Sequence, residues 1–211
     1  MRAKSLLLGF FMAAVAVAAS AQGAQGSDPW AVLKGVRQSL VEAGPTQAVF
    51  TQTYVPAGFT SGEKESGQIA LALPDCLRWD YQDPYPKGFL LCGGVAHSWN
   101  SQDKTGRRYR VDRKNEPGLD LLLLGVDDLK NRYRATSAPA ADGRVEVRLS
   151  PKGKLEELTD AAFLVDTASD RVVAISYHDR EGNLTRFEIT GYRNLPSQAQ
   201  FSPPPGIRWE E

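Results

Sequence analysis

The sequence has few of the side chains on which active sites and metal centres are usually built. It contains two cysteines, two histidines and two methionines in 211 residues. No CxxC, GxSxG or HExxH motif occurs, and no phosphate-binding glycine loop. His178 precedes Asp179, but such a pair in a chain without a nucleophile motif is typical of a polar turn. We therefore predict that the protein is not an enzyme and uses no metal or cofactor.

The chain also has no excess of positive or negative charge. Lys and Arg together number 25, Asp and Glu together number 25, and the formal net charge is 0. Binding to nucleic acid or to an anionic membrane surface relies on an excess of basic side chains. The charge balance therefore favours neither kind of partner, and we expect no nucleic acid.

Long apolar runs are confined to the N terminus. Two basic residues precede an uncharged run from Leu6 to Ala19, and Ala21 completes a small-residue cleavage site. The run of about 14 residues is shorter than the roughly 20 that a membrane-spanning helix needs. This pattern predicts a removable signal peptide over residues 1–21, with a retained membrane anchor as the alternative, and a single exported domain over residues 22–211.

The two cysteines, Cys76 and Cys92, both lie in the exported part, where an oxidising compartment makes a disulfide the default state. Pro84 lies midway between them, and the turn-rich segment 82–88 would fold the flanking strands into a hairpin with Cys76 opposite Cys92. Closing a loop of about 15 residues stabilises the fold by about 3 kcal/mol in the chain-entropy model. We predict a structural disulfide on the more polar face of the sheet. A redox-active pair is the alternative.

The order of the patterns predicts a mainly β (α+β) fold. Apolar residues at helical spacing follow Asp28-Pro29 and end at Gly44, which indicates one helix. About 10–11 strands follow, such as the alternating Gly67–Leu73, and the four leucines Leu121, Leu122, Leu123 and Leu124 indicate a short apolar helix. An open sheet of that size curls. With a helix over its mouth it would enclose either a packed core or a cavity.

Large apolar side chains share one face of the predicted strands, where they would form either ordinary core or the wall of a ligand cavity. The cavity candidates are Phe50, Leu71, Leu73, Leu77, Trp79, Phe89, Leu91, Leu122, Phe163, Val165, Ile175, Tyr177, Phe187 and Ile189. The lid candidates are Leu121, Leu122, Leu123 and Leu124, since four adjacent leucines cannot all face one side of a helix. A plain buried helix is the alternative for them.

A series of short motifs also occurs in a specific order. The motifs are Phe50-x-Gln52, Gly67-x-Ile69-x-Leu71, Pro74 followed by Trp79 and Pro84, Gly93-Gly94, Leu121 to Gly125, Leu149-x-Pro151, Asp179-x-x-Gly182-x-x-Thr185, and Phe201-x-x-Pro204-x-Gly206-Ile207. Together they resemble the periplasmic lipoprotein carriers of the LolA family over nearly all of the exported part. The resemblance implies a curved, incomplete antiparallel β-barrel with a helical lid over an apolar cavity.

The same resemblance implies a function in the periplasm. A LolA-like carrier accepts acylated lipoproteins from an inner-membrane ATP-driven exporter and hands them to an outer-membrane receptor, and we expect this one to act as a monomer. Exposing an acyl chain of about 15 methylenes to water costs on the order of 12 kcal/mol, so such cargo needs a chaperone to cross an aqueous gap. The alternatives are a lipid- or lipoprotein-sensing interaction module on the same fold, or a shuttle for a different lipid.

One position departs from the family pattern. Many members carry an arginine immediately before the proline, thought to hold the lid closed through hydrogen bonds to lid carbonyls, whereas this chain has Leu73 before Pro74. Leucine cannot donate a hydrogen bond, so such a latch must be absent or replaced. Arg78 is a candidate replacement, although the strand alternation points it towards the outer face.

Overall fold

The computed structural model of the protein describes residues 26–111, 121, 123, 125–153, 158–195 and 200–210. The predicted signal peptide at 1–21 and the lid candidates Leu122 and Leu124 lie outside these residues and stay predictions. Within the described ranges, no helix is both long enough and apolar enough to cross a bilayer.

Helix α1 spans Pro29–Ala43, as the sequence pattern predicts. Asp28 caps its first turn, because one carboxylate oxygen accepts a hydrogen bond from the Trp30 amide at 3.0 Å. Leu33, Val36 and Leu40 form its buried face. The helix ends at a glycine, Gly44, whose φ of 69° lies in the left-handed region that side chains disfavour.

The strands of the described residues form one twelve-stranded sheet. They are β1 Thr46–Val55, β2 Glu63–Ala72, β3 Cys76–Asp83, β4 Lys87–Cys92, β5 Val95–Asn100, β6 Thr105–Arg110, β7 Tyr133–Pro139, β8 Arg144–Pro151, β9 Leu158–Asp166, β10 Arg171–Asp179, β11 Leu184–Asn194 and β12 Arg208–Glu210. Their spatial order is β12-β6-β5-β4-β3-β2-β1-β11-β10-β9-β8-β7. The pairing of β1 with β11 joins the two halves of the chain at the centre of the sheet.

This curved, open and almost wholly antiparallel sheet confirms the predicted mainly β fold class. The sequence predicts one or two strands too few, because the short β12 follows several prolines and is too brief to show an alternating pattern. It pairs in parallel with β6, unlike every other neighbour in the sheet. β2 begins at Glu63 rather than at the predicted Gly67, since charged residues continue its pairing with β1 beyond the apolar stretch.

A second helix, α2, spans Val126–Arg132. The apolar pattern predicts a helix only up to Gly125, and Leu121 and Leu123 are indeed helical. The pattern gives no signal for α2, because this helix is short and mostly polar and begins without a side-chain cap. Its buried residues are Val126 and Leu129, and it contacts both α1 and β7.

The main core lies between the concave face of the sheet and the helices. α1 contacts β2, β7, β8, β10 and α2, so it crosses the concave face from one side of the sheet to its centre. Alternate residues of the strands point into this core, and Phe50, Leu77 and Phe163 are completely buried there. The period of two seen in the sequence therefore identifies the concave face correctly.

The opposite, convex face carries a smaller apolar layer over β4 and β5. Leu90 and Trp99 are 1% and 5% exposed. Trp209 from the C-terminal segment 200–210 lies near Trp99 and His97, with its ring centroid 6.5 Å from that of Trp99 and 5.2 Å from that of His97. The C-terminal segment therefore packs as part of the fold, although its sequence reads as a proline-rich tail.

The predicted disulfide is present between Cys76 and Cys92. The two residues are direct cross-strand partners on β3 and β4. Leu77 beside Cys76 points into the core, so the disulfide lies on the opposite, convex face, as the alternation predicts. The hairpin derived from the spacing of the cysteines around Pro84 is therefore confirmed.

Candidate functional site

The predicted cavity residues that the structure describes all belong to one apolar cluster on the concave face. Phe50, Leu71, Leu77, Trp79, Leu91, Phe163, Val165, Ile175, Phe187 and Ile189 are buried within it, and Leu73, Phe89 and Tyr177 pack against it while partly buried. Leu122 lies outside the described residues. The topology thus brings these side chains together, while their contact with a ligand stays a prediction.

Four aromatic rings form the centre of this cluster. The Phe50 centroid lies 5.5 Å from Trp79, 5.0 Å from Tyr81 and 6.0 Å from Phe187, each in an edge-on arrangement that aromatic quadrupoles favour. Phe50 and Tyr81 are on β1 and β3, on either side of Gly67 of β2. A methyl group on Gly67 would lie 2.0 Å from the carbonyl oxygen of Asp80. The glycine in this motif therefore allows the close approach of the strands beneath the aromatic rings.

Tyr81 belongs to this site although it is not among the predicted cavity residues. Its hydroxyl donates a hydrogen bond to Gln52 Oε1 at 2.6 Å. Burial raises the pKa of its phenol, and nearby Glu65 and Tyr177 raise it further. The group therefore stays neutral at physiological pH, and it adds a polar atom at the margin of an otherwise apolar surface.

Between α1 and the sheet, described residues line a small gap. It has a volume of about 20 Å³ and is lined by Leu40, Leu121 and apolar residues of β2, β9, β10 and β11. Such a space accommodates about one water molecule. This gap is too small for an acyl chain.

A larger, open groove of about 530 Å³ lies towards β4, β5 and β6. Tyr81 and Phe89 contribute apolar surface to it, and Lys87, Ser98 and Asn100 contribute hydrogen-bond donors. The Lys87 ammonium lies 4.5 Å from the Tyr81 ring centroid and 2.7 Å from Glu65 Oε1. The groove therefore combines apolar and polar walls beside the closed core.

The lid candidates Leu121 and Leu123 are buried, with 2% and 5% of their surface exposed. Arg37 of α1 donates a hydrogen bond from Nη1 to the carbonyl oxygen of Leu123 at 2.7 Å. This bond joins α1 to the predicted lid across 86 residues of sequence. Sequence patterns contain no signal for it, because a partly exposed arginine on a helix is ordinarily solvated.

The hypothesis that Arg78 replaces the lid latch is wrong. Its Nη1 donates hydrogen bonds to the carbonyl oxygens of Gln200 and Ser202 at 2.8 and 2.9 Å, and its Nε lies 2.6 Å from Asp80. These contacts hold the C-terminal segment on the convex face. The strand alternation that points Arg78 outward is therefore confirmed. Leu73 packs against the concave core, where it cannot donate.

The histidines lie away from the aromatic cluster. His178 Nδ1 is 3.1 Å from both carboxylate oxygens of Asp160 on the neighbouring strand, at a site where both side chains are about half exposed. Within the described part of the chain, no group of three or more His, Cys, Asp or Glu residues is arranged to hold a metal ion.

The chain matches the family model described as outer membrane lipoprotein carrier protein LolA over residues 42–203. The chain belongs to the LolA family. It is similar to proteins named outer-membrane lipoprotein carrier protein. The one from Methylococcus capsulatus is 27% identical over 178 residues, which cover 82% of this chain and 84% of that protein. The one from Xanthomonas oryzae pv. oryzae is 26% identical over 167 residues, which cover 75% and 78%.

The fold of this LolA-family chain also resembles a solved structure. An uncharacterized conserved protein from Thermus thermophilus superimposes with a TM-score of 0.56, covering 85% of this chain and 96% of that one. The two sequences are only 9% identical, so this likeness concerns the fold alone. In this LolA-family chain, the apolar cluster lies on the concave face of the sheet, next to α1 and Leu121.

Proposed function

We propose that this LolA-family protein is a periplasmic carrier that binds the acyl chains of lipoproteins and shuttles them from the inner membrane to the outer membrane. The observation that supports this function best is the apolar concave face, closed by α1 and by Leu121 and Leu123. Binding of this kind needs apolar surface that can be opened and closed again. It requires no reacting group, so we propose a carrier without catalytic activity.

In the carrier that we propose, the resting cavity is closed, because an open one would be unfavourable. An open apolar cavity would expose its walls to water at a cost of about 25 cal/mol per Å². In the closed form, Leu40 and Leu121 cover the strand residues and leave a gap of about 20 Å³. Acyl chains would replace these helix contacts with lipid contacts of similar strength. The net free energy of loading would then be small enough for release to an acceptor.

The hydrogen bond from Arg37 to the Leu123 carbonyl provides a place where opening could be controlled. It links the two elements that must separate from the sheet, and α1 contacts α2 as well. We propose that this bond performs in this chain the latch function that Leu73 cannot. Loading would break the bond, and emptying would restore it.

The partners follow from the family. We propose that the protein receives cargo from an inner-membrane ATP-driven exporter, acts as a monomer and delivers to an outer-membrane receptor. The predicted signal over residues 1–21 would bring it to the periplasm. Relatives named outer-membrane lipoprotein carrier protein support this assignment.

The proposal can be tested by purifying the protein from its own periplasm and combining native mass spectrometry with lipid extraction. We expect a one-to-one complex with a triacylated lipoprotein. As a matched control, the same lipoprotein with its acylated cysteine replaced by serine should not copurify. A bound free lipid would point instead to a shuttle for that lipid.

A second experiment covers the case in which cargo is lost during purification. Detergent-solubilised lipoprotein is diluted below the critical micelle concentration with or without the carrier, and the mixture is centrifuged. The carrier should keep the acylated lipoprotein in the supernatant. Sedimentation of the lipoprotein in both samples, together with a purified protein free of lipid, would contradict the carrier function and favour a sensing module.

A further inference from the structure

The indole of Trp79 carries a buried hydrogen-bond donor without an acceptor. The side chain is 4% exposed, and its Nε1 finds no hydrogen-bond partner among the described residues. Phe50 and Phe187 lie against the indole, with centroid distances of 5.5 and 5.1 Å, and neither ring offers a conventional acceptor. Native proteins satisfy most buried polar atoms, because an unsatisfied one loses its hydrogen bonds to water without compensation.

Trp79 also stands between the two spaces of the concave face. Trp79 is on β3, where its cross-strand partners are Ile69 on β2 and Phe89 on β4. Ile69 lines the closed gap of about 20 Å³, and Phe89 lines the open groove of about 530 Å³. A ligand that extends from the polar groove into the apolar core would therefore pass this indole.

We infer that Trp79 Nε1 donates a hydrogen bond to an ester carbonyl oxygen of the bound acyl cargo. This inference rests on the proposed carrier function and specifies which chemical group of the cargo the site recognises. An indole N–H is a donor only, so its partner must be an acceptor. The methylenes of an acyl chain have none, whereas the ester that joins the chain to glycerol has a carbonyl oxygen at the point where apolar chain meets polar head.

The surrounding groove is suited to the same arrangement. Beyond the ester, the polar head of the cargo would lie among the donors Lys87, Ser98 and Asn100, while the acyl chain continues towards Ile69. The depth of Trp79 would thus set how far the chain enters. A hydrocarbon chain has no acceptor, and an ether of equal length lacks the carbonyl oxygen and keeps only a weaker acceptor at a different position, so the site should prefer acyl esters over alkyl ethers.

Affinity measurements test this preference without any variant. The probes are a synthetic S-(diacylglyceryl)cysteinyl peptide with a free amino terminus and its dialkyl ether analogue of equal chain length. One neutral hydrogen bond corresponds to a factor of about ten in affinity. We therefore expect the wild-type protein to bind the ester peptide roughly tenfold more tightly than the ether peptide.

Two matched tryptophan variants then show which residue causes the preference for the ester peptide. Trp79→Phe should bind both peptides with equal affinity, because it keeps an aromatic ring and removes the donor. Trp209→Phe makes the same chemical change in the C-terminal segment, where Trp209 lies against His97 and Trp99, and should keep the tenfold preference. Proton–nitrogen spectra of the wild-type indoles add a direct signal. The resonance absent from Trp79→Phe should move downfield with the ester peptide and stay in place with the ether peptide.

Equal wild-type affinity for both peptides, or a Trp79 indole resonance that the ester leaves unchanged, would overturn the inference while the carrier function stands. Failure of the wild-type protein to bind either peptide would overturn the carrier function and this inference with it. A preference that Trp209→Phe loses and Trp79→Phe retains would assign recognition to a different site.

Discussion

The contact between α1 and the predicted lid leads to a quantitative prediction. Arg37 Nη1 lies 2.7 Å from the carbonyl oxygen of Leu123, and the arginine is partly buried. We expect Arg37→Met to loosen the lid, because methionine keeps an unbranched apolar stem for packing and has no N–H to donate. Arg37→Lys should have a smaller effect, since it keeps a charged donor without the planar fork.

The size of the effect follows from the kind of bond. A hydrogen bond from a charged donor contributes about 1.5–3 kcal/mol, which corresponds to a factor of about 13 to 160 in an equilibrium constant. The partial exposure of Arg37 favours the lower end of this range, because water can replace part of the interaction. The closed-to-open ratio of the lid should therefore fall by about tenfold in Arg37→Met.

Hydrogen–deuterium exchange measures this ratio directly. Amide exchange over residues 121–132 should accelerate by about tenfold in Arg37→Met, while the central strands β1 and β11 exchange as in the wild type. Lys34→Met serves as the control, because Lys34 is exposed on the same helix and the substitution removes the same charge. Its exchange over residues 121–132 should equal that of the wild type.

Two exchange results would contradict this prediction. If Arg37→Met and wild type exchange at the same rate over residues 121–132, the bond to Leu123 does not hold the lid. If Lys34→Met accelerates exchange as much as Arg37→Met, the cause is the loss of positive charge from α1 rather than the specific hydrogen bond.

Three further predictions concern other parts of the chain. Leu73→Arg should change lid opening, and identical rates of lipopeptide uptake and release in variant and wild type would exclude this effect. Replacing Cys76 and Cys92 by serine should lower the free energy of unfolding by about 3 kcal/mol in urea titrations, and an unchanged midpoint would contradict the chain-entropy estimate. Burial, with a contribution from Arg108, lowers the pKa of His97. The unfolded chain therefore binds a proton more readily, so stability should decline as the pH falls below about 6.5. Urea titrations at pH 7.5 and 5.0 should show a smaller decline in His97→Gln, and equal declines would exclude the histidine as a cause.

The sequence contained enough information for the mainly β class, the first helix and the apolar face. These features depend on short-range periodicity, which the chain displays in segments such as Gly67–Leu73. The disulfide was predictable for the same reason, because Cys76 and Cys92 lie at matching positions of one hairpin. The LolA family was recognisable from the order of motifs, although each motif alone is weak.

Features that depend on contacts between distant segments were not predictable from the sequence. α2 is too short and polar for its period to stand out, and β12 owes its strand conformation to pairing with β6 rather than to its own pattern. From the sequence, Arg78 could either contact the lid or lie on the outer face. The position of residues 200–202 shows that it donates to the carbonyl oxygens of Gln200 and Ser202.

Which side chains face the same side of the sheet was predictable from the sequence, because the alternation of a strand is a local property of the backbone. The fold was needed to show that Leu40 and Leu121 line a gap of about 20 Å³ against the strands, that Arg37 reaches Leu123, and that the Trp79 indole has no acceptor among the described residues. Each of these depends on atoms brought within a few ångströms by the curvature of the sheet and the placement of α1. Neither of those is encoded in the spacing of any single segment.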